Sequence, residues 1–301
     1  MDPAPEIFGL LVTKNEAPIL KDVLDVNTQF IKKIFVLDGG NDNAENIFRA
    51  YPEVVYYLHE NELEKKIGKT IKVVDGIRGY LYDEILKVAK MGDWITLMHG
   101  DEIFYNDPTE VVACAEKKGA NLVSWFAAHF FPHVNDYPVW NELKNKQLLE
   151  RFRYFACYEK RCWVEDRQFK ILDTTKYRYD RHGELYPKFP TAPIRLNAFP
   201  LYHHYKVWDL DKKNYQTELF NFKHKRPVLH PKDKWSTVHY YPLTFKDFFR
   251  ESYPDYPSVG YFDGSFGKLE DSYALLRQEC LADKASGLGT SHNCRQQSTP
   301  K

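Results

Sequence analysis

The chain has 301 residues, 43% of them hydrophobic and 16% aromatic, which is enough apolar content for one large domain or two smaller ones. Its 42 basic and 42 acidic side chains cancel, so no global basic field argues for nucleic acid or an anionic membrane surface as partner. No apolar run approaches the roughly 18–20 residues that span a bilayer, and no charged-then-apolar leader is visible.

The first third alternates strand and helix patterns. "IFGLLV" (7–12) is a continuous apolar run suited to a strand buried on both faces. Ile19, Val23, Val26 and Phe30 follow as one stripe of a helix. "KIFVLD" (33–38) predicts a second buried strand ending in the turn-rich "GGNDN". A short helix, "AENIFRAY", leads to a third strand at "VVYYL" (54–58). Val74, Ile77, Leu81, Ile85 and Val88 form a longer helical stripe closed by Gly92, and "WITLM" (94–98) is the fourth strand. Asp107, Pro108 and Glu110 then give a helix start, with a capping acid, Pro in the first turn and Glu three residues after the cap. That helix should stop at Gly119, ahead of another strand, "NLVSWFAAHFF" (121–131).

From about 132 to 270 the pattern loosens and becomes dense in aromatic residues, His and Pro. The aromatic wealth of 125–262 suits a sugar-binding surface, because ring faces pack on the apolar faces of pyranoses; an ordinary aromatic core would read much the same. The tryptophans there, Trp125, Trp140, Trp163, Trp208 and Trp235, cannot be ranked from sequence, and His224, His230 and His239 lack ligand spacing. The last stretch, 281–301, is polar and rich in small residues, and a disordered tail is expected there. Five cysteines, Cys114, Cys157, Cys162, Cys280 and Cys294, lack CxxC spacing. They favour reduced thiols and a cytoplasmic setting over a disulfide frame or a zinc ribbon.

Alternation of this kind implies an α/β fold with a mostly parallel, twisted sheet flanked by helices, whose ligands bind beyond the carboxyl ends of the strands. Those ends read Thr13-Lys14-Asn15-Glu16, Asp38-Gly39-Gly40-Asn41-Asp42 and His99-Gly100-Asp101-Glu102. A diphosphate-bearing donor needs its charge offset, and Mg²⁺ or Mn²⁺ prefers carboxylate and phosphate oxygens. Asp101, just past a buried strand, suits such an ion, and His99 could add an imidazole.

"LLVTKNEAPILKDVLD", "IFVLDGGNDNAENIF" and "GDWITLMHGDEIF" together resemble the three signature segments of the family-2-like glycosyltransferases, which have a GT-A fold. The resemblance covers roughly residues 6–105 and implies a nucleotide-sugar-binding half over 1–120 and an acceptor-binding half of the same domain over 121–280. It implies that Thr13, Asn15, Glu16 and Asp38 line a nucleotide-sugar pocket, that Arg78 faces the donor, and that Asp101 is the metal carboxylate of a "DxD" motif. His99 stands where relatives carry the first Asp of that motif, and the "DGGND" turn is one residue shorter than usual. In the second half, "CWVEDRQFKI" offers Asp166, with Glu165 as second choice, as the base that takes a proton from the acceptor hydroxyl. "FPLYHHYKVW" echoes a family His pair that can complete the metal shell, so His204, with His203 as alternative, joins the metal set.

The resemblance thus implies a metal-dependent, inverting transfer of sugar from a nucleotide sugar to a glycan or glycoconjugate acceptor, without nucleic acid. Two other classes stay open. A nucleotidyltransferase would normally show a Gly-rich phosphate loop with a basic residue after the first strand, which "VTKNEAP" lacks. A non-catalytic carbohydrate- or nucleotide-binding protein on a decayed transferase fold is compatible with His99. Oligomeric state, donor and acceptor are not legible.

Overall fold

The computed structural model describes residues 4–68, 78–131, 154–157, 164–172, 189, 192–196, 200–205, 258–261, 273–280 and 282. Its first third follows the predicted alternation: β1 (Ile7–Thr13), α1 (Ala17–Asn27), β2 (Lys33–Asp38), α2 (Ala44–Phe48) and β3 (Val54–His59). The short helix α3 (Glu60–Ile67), which had no strong apolar stripe to announce it, comes next. Then follow α4 (Arg78–Leu86), β4 (Trp94–His99), β5 (Glu102–Phe104), α5 (Pro108–Lys117) and β6 (Leu122–Phe131). Of the predicted Val74–Val88 stripe, Val74 and Ile77 lie outside the described residues. Beyond β6 the described strands are β7 (Tyr154–Cys157), β8 (Val164–Lys170), β9 (Leu201–Tyr205) and β10 (Ser258–Tyr261).

The main sheet runs β10-β7-β6-β8-β4-β1-β2-β3. Strands β3, β2, β1 and β4 pair in parallel. Strand β8 enters antiparallel between β4 and β6, while β7 runs antiparallel to both β6 and β10. Of these eight strands, β7 and β8 therefore oppose the direction shared by β1, β2, β3, β4, β6 and β10. The result is a mixed α/β sheet, mostly parallel in direction. Strand β9 runs parallel to β6 along the edge opposite β8 and carries β5 on its own far edge.

The central strands read as unbroken apolar runs because both of their faces are covered. On one face Leu11, Val36 and Met98 pack with Leu20 and Leu24 of α1, Phe48 of α2, Val111 and Ala115 of α5, and Tyr273 of the helical segment 273–280. On the other, Leu10, Leu37 and Leu97 pack with Leu63 of α3 and with Leu81 and Ile85 of α4. Trp125 belongs to the first core, fully buried, and its indole N–H donates to Gln168 at 3.1 Å. That makes it a packing residue. Trp140, Trp163, Trp208 and Trp235 lie outside the described residues, as do His224, His230 and His239.

Helix ends obey their local chemistry. Asp107 caps α5 by accepting from the Thr109 amide at 2.7 Å, as its sequence position predicts. Helix α1 is capped from outside. Glu16 makes no capping bond at its N-terminus, and Asp42 of the β2–α2 turn accepts from Ala17 N at 2.8 Å instead. Cys114 and Cys280 are buried free thiols, and burial pushes the Cys114 thiol up to about 12, where it is a poor nucleophile. No helix among the described residues is long and apolar enough to cross a membrane. The expected tail, 281–301, lies outside the described residues except for residue 282.

The short strand β5 was not predicted, and Asn27 shows why it forms. Its buried side chain donates to the Glu102 carbonyl at 2.8 Å and accepts from the Phe104 amide at 3.1 Å, as a neighbouring strand would. Replacing Asn27 with Ala orphans two buried backbone groups, each worth roughly 1–3 kcal/mol. Asn27→Ala is expected to lower the chemical-denaturation midpoint by a corresponding amount with an unchanged m-value.

Candidate functional site

The carboxyl ends of β1, β2 and β4 lie side by side, so the three polar turns share one edge of the sheet. They also interlock. Asn15 adopts a left-handed backbone (φ 56), which turns its side chain across to accept from the Asn41 amide at 2.8 Å. Asp38 accepts from the Gly40 amide at 2.7 Å and from the Tyr57 hydroxyl at 3.0 Å, and His59 Nε2 lies 2.8 Å from the Gly40 carbonyl. A Cβ on Gly40 would fall 2.6 Å from the Asn15 backbone nitrogen, so only glycine lets these two turns meet. Asp42 uses one oxygen to cap α1, while its Oδ1 is buried with no hydrogen-bond partner among the described residues.

The third turn closes on the first by the same device. Thr13 Oγ1 donates to Glu16 Oε2 at 2.9 Å, and both groups are buried. A side chain at Gly100 would collide with that carboxylate and that hydroxyl. Glycine therefore seats the His99–Glu102 turn directly on the end of β1. Asp101 and Glu102 are both buried in it.

Two buried arginines back this turn. Arg78, at the start of α4, is only 2% exposed, and its Nη2 lies 2.5 Å from His99 Nε2. A guanidinium has donors only, so the imidazole nitrogen accepts and the ring proton sits on Nδ1. Arg167 reaches the turn from β8. Between the Val123–Gln168 and Ser124–Asp166 pairs the ladder shifts register, leaving Arg167 as an extra residue on β8. Such a bulge re-aims a side chain. Arg167 donates to Glu102 Oε1 at 2.7 Å and to the Tyr202 hydroxyl at 2.9 Å, lies with its guanidinium over the Tyr202 ring, and pairs with Glu165.

Because β8 runs antiparallel, its beginning delivers Glu165 and Asp166 toward the end of β4, opposite Trp125 and Ser124 of β6. As successive residues they point to opposite faces. Glu165 joins Arg167 and lies 3.4 Å from the Tyr202 hydroxyl, within the Glu102 network. On the other face Asp166 accepts from Ser124 Oγ at 2.6 Å and pairs with Arg195, which also donates to Ser124 at 2.8 Å. The backbones of His203 and His204 run in β9 opposite Ile103 and Glu102; their side chains lie outside the described residues.

Electrostatics follow burial. Burial raises the Asp38 carboxyl above its ordinary range, opposed by the Gly40 amide and the Tyr57 hydroxyl. Burial raises Glu102 likewise, and the Arg167 charge pulls against that. Of the expected metal set, His99 offers Nε2 to Arg78 and the neighbouring Glu102 is held by Arg167. No three His, Cys, Asp or Glu among the described residues are grouped to hold a metal ion. Asp101, the expected metal carboxylate, is buried in the turn, and the side chains of His203 and His204, the other expected members, lie outside the described residues.

No family model matches the chain, and neither does any curated protein. Among solved structures it is similar to a Bacillus anthracis protein assigned as a glucose-1-phosphate thymidylyltransferase and crystallised with sucrose. That match has 12% identity over 91% of this chain and 96% of the other, with a TM-score of 0.28. So loose a superposition carries no argument about activity, and the site has to be read from its own chemistry.

Sequence reasoning picked out the three turns and the acids of β8 but passed over Asn27, Gly40, Gly100, Arg167 and Tyr202. A glycine next to a strand-end acid, and an arginine following two acids inside a strand, were the available signals.

Two measurements check this description. Removing one member of a buried ion pair costs about 3–5 kcal/mol. Arg167→Met is expected to lose that much in chemical denaturation, and adding Glu102→Gln should restore a large part of it. Asp38 titrates higher in the folded chain than its ordinary value of 3.8, so folding favours its protonated form and the penalty grows as pH rises through the folded pKa. Asp38→Asn keeps the bond to Gly40 without the charge. It is expected to raise the melting temperature near pH 7, with the gain shrinking as pH falls toward 4.

Proposed function

We propose that the chain is a glycosyltransferase that moves a sugar from a nucleotide sugar to a carbohydrate-type acceptor, with inversion at the anomeric carbon. One observation carries this reading: the polar ends of β1, β2 and β4 form one interlocked set at the carboxyl edge of a parallel sheet, where such folds bind nucleotides. Asp38 and the unpartnered Asp42 Oδ1 are acceptors suited to the N–H of a base or to ribose hydroxyls. Thr13, Asn15 and Glu16 shape the wall between them. The His99–Glu102 turn, with Arg78 behind it, lies at the next strand, where the diphosphate of a nucleotide laid across the edge would reach.

In the transfer the acceptor oxygen attacks the anomeric carbon as its proton passes to a carboxylate. The bond to the diphosphate oxygen breaks on the opposite side, and positive charge nearby stabilises the departing anion. Of the two acids on β8, Glu165 is the better placed for the proton. It shares the Arg167 network with Glu102, so its position relative to the β4 turn is fixed, whereas Asp166 is held on the other face by Ser124 and Arg195.

A thermal-shift screen of nucleoside diphosphates and nucleotide sugars tests the reading, since a ligand that binds the native state raises its melting temperature. No shift with any nucleotide sugar sinks it. With the donor found, Glu165→Gln is expected to cut turnover by roughly 100-fold or more while nucleotide binding stays within about twofold of wild type. Asp166→Asn should cost less than about tenfold. The reverse ranking transfers the role to Asp166.

A further inference from the structure

We propose that Cys114 and Cys280 form a dithiol modification site, at which a low-molecular-weight disulfide installs a Cys114–Cys280 bond that fastens the helical segment 273–280 to α5. The proposal is independent of the nucleotide-sugar reading, since neither thiol belongs to the strand-end site.

Cys114 lies in α5 and Cys280 closes the segment, and each is only 3% exposed. The contacts around them hold the two helices in one register. Arg277 donates to Glu110 from Nε at 2.6 Å and from Nη2 at 3.0 Å. Lys118 pairs with Glu279 at 3.1 Å, and the Lys117 ammonium donates to the Cys280 carbonyl. Among these ties the Cys114 and Cys280 thiols share a hydrogen bond. Cysteines whose side chains point apart cannot be bridged without moving the backbone; these two already meet.

While the segment is docked the pair is inert. Burial, and then the bond to Cys280, push the Cys114 thiol up to about 12, and the thiolate is the reactive form. The segment is nevertheless weakly held. Its ion pairs to α5 are exposed, where such pairs contribute little. The Tyr273 hydroxyl is buried with no hydrogen-bond partner among the described residues, which opposes docking. A helix of eight residues has little stability away from the surface it packs on. Lifting of the segment is thus a low-energy local opening, and it relieves Cys114 of the burial that keeps it protonated.

In the open state the Cys114 thiolate attacks one sulfur of the small disulfide, forming a mixed disulfide and releasing one thiolate. The Cys280 sulfur then attacks the Cys114 sulfur and expels the second. Two protein thiols are oxidised, one small disulfide is reduced to two thiols, and the two protons pass to the departing thiolates. The new bond closes a loop spanning more than half of the chain, which restricts the unfolded state.

Incubation of the full chain with oxidised glutathione, then proteolysis without reductant and mass spectrometry, tests the proposal. A Cys114–Cys280 cross-linked peptide is expected, two hydrogens lighter than the separate peptides and absent after dithiothreitol. The oxidised chain should melt roughly 4–10 °C above the reduced one. Cys114→Ala and Cys280→Ala should each remove the cross-link and the shift, whereas a triple variant, Cys157→Ala with Cys162→Ala and Cys294→Ala, should keep both. The wild-type peptide map decides the matter even where a variant fails to fold. Glutathione retained on either cysteine, a cross-link from either to a different cysteine, or an oxidised chain that melts no later than the reduced one overturns the proposal. So do two thiols that stay reduced just below the melting temperature.

Discussion

A carboxylate and a hydroxyl, those of Glu16 and Thr13, fill the space that a side chain at residue 100 would need. This steric constraint ties the end of β4 to the end of β1, and Gly40 ties the end of β2 to Asn15 in the same manner. Parallel pairing brings three strand ends to one edge, but by itself leaves three independent loops above it. Backbone approach permitted only by glycine makes them one body. The placement of Asp38, Asp42, His99 and Asp101 relative to each other depends on it, because each sits within two residues of such a contact.

The far side of the β4 turn is fixed by a different device. Asn27 imitates a strand along β5, and the bulge on β8 turns Arg167 onto Glu102, with the Tyr202 ring and hydroxyl against the guanidinium. A buried charge needs several partners to be tolerated, and here the partners come from β5, β8 and β9. The second half of the chain is thus joined to the first through polar contacts concentrated under the site. Apolar packing holds the sheet together; these contacts set where its edge points.

The first third was legible because its strands are buried on both faces and its helices carry apolar stripes, the two patterns that a sequence displays most openly. β5 was hidden, since three residues show no period and its pairing partner, β9, lies about a hundred residues later. β8 and β9 were legible only as "VEDRQ" and "LYHHY", segments whose polar content looks like site chemistry. Part of it is pairing chemistry: Gln168 is buried and bonds Thr96 of β4 and the Pro108 carbonyl. The acids Glu165 and Asp166 stand out in the sequence, but the surroundings of each depend on the bulge at Arg167, which no local pattern announces. Arg78 was visible as a basic residue ahead of β4. Its contact with His99 was not, because it joins positions 21 residues apart through tertiary packing.

A strand end rich in acids invites the assumption that the acids gather a cation. In this edge most of them hold backbone or each other's partners: Glu16 accepts from Thr13, Asp38 from Gly40 and Tyr57, Asp42 from the first amide of α1, and Glu102 and Glu165 share Arg167. Each of these bonds orders a turn, and a carboxylate engaged in ordering a turn has fewer lone pairs left for a metal. The cations of the site are likewise built in, as two guanidiniums buried behind the His99–Glu102 turn. An edge made this way presents hydrogen-bond acceptors at β2, in Asp38 and Asp42 Oδ1, beside a β4 turn whose Glu102 shares the buried Arg167 with Glu165 of β8.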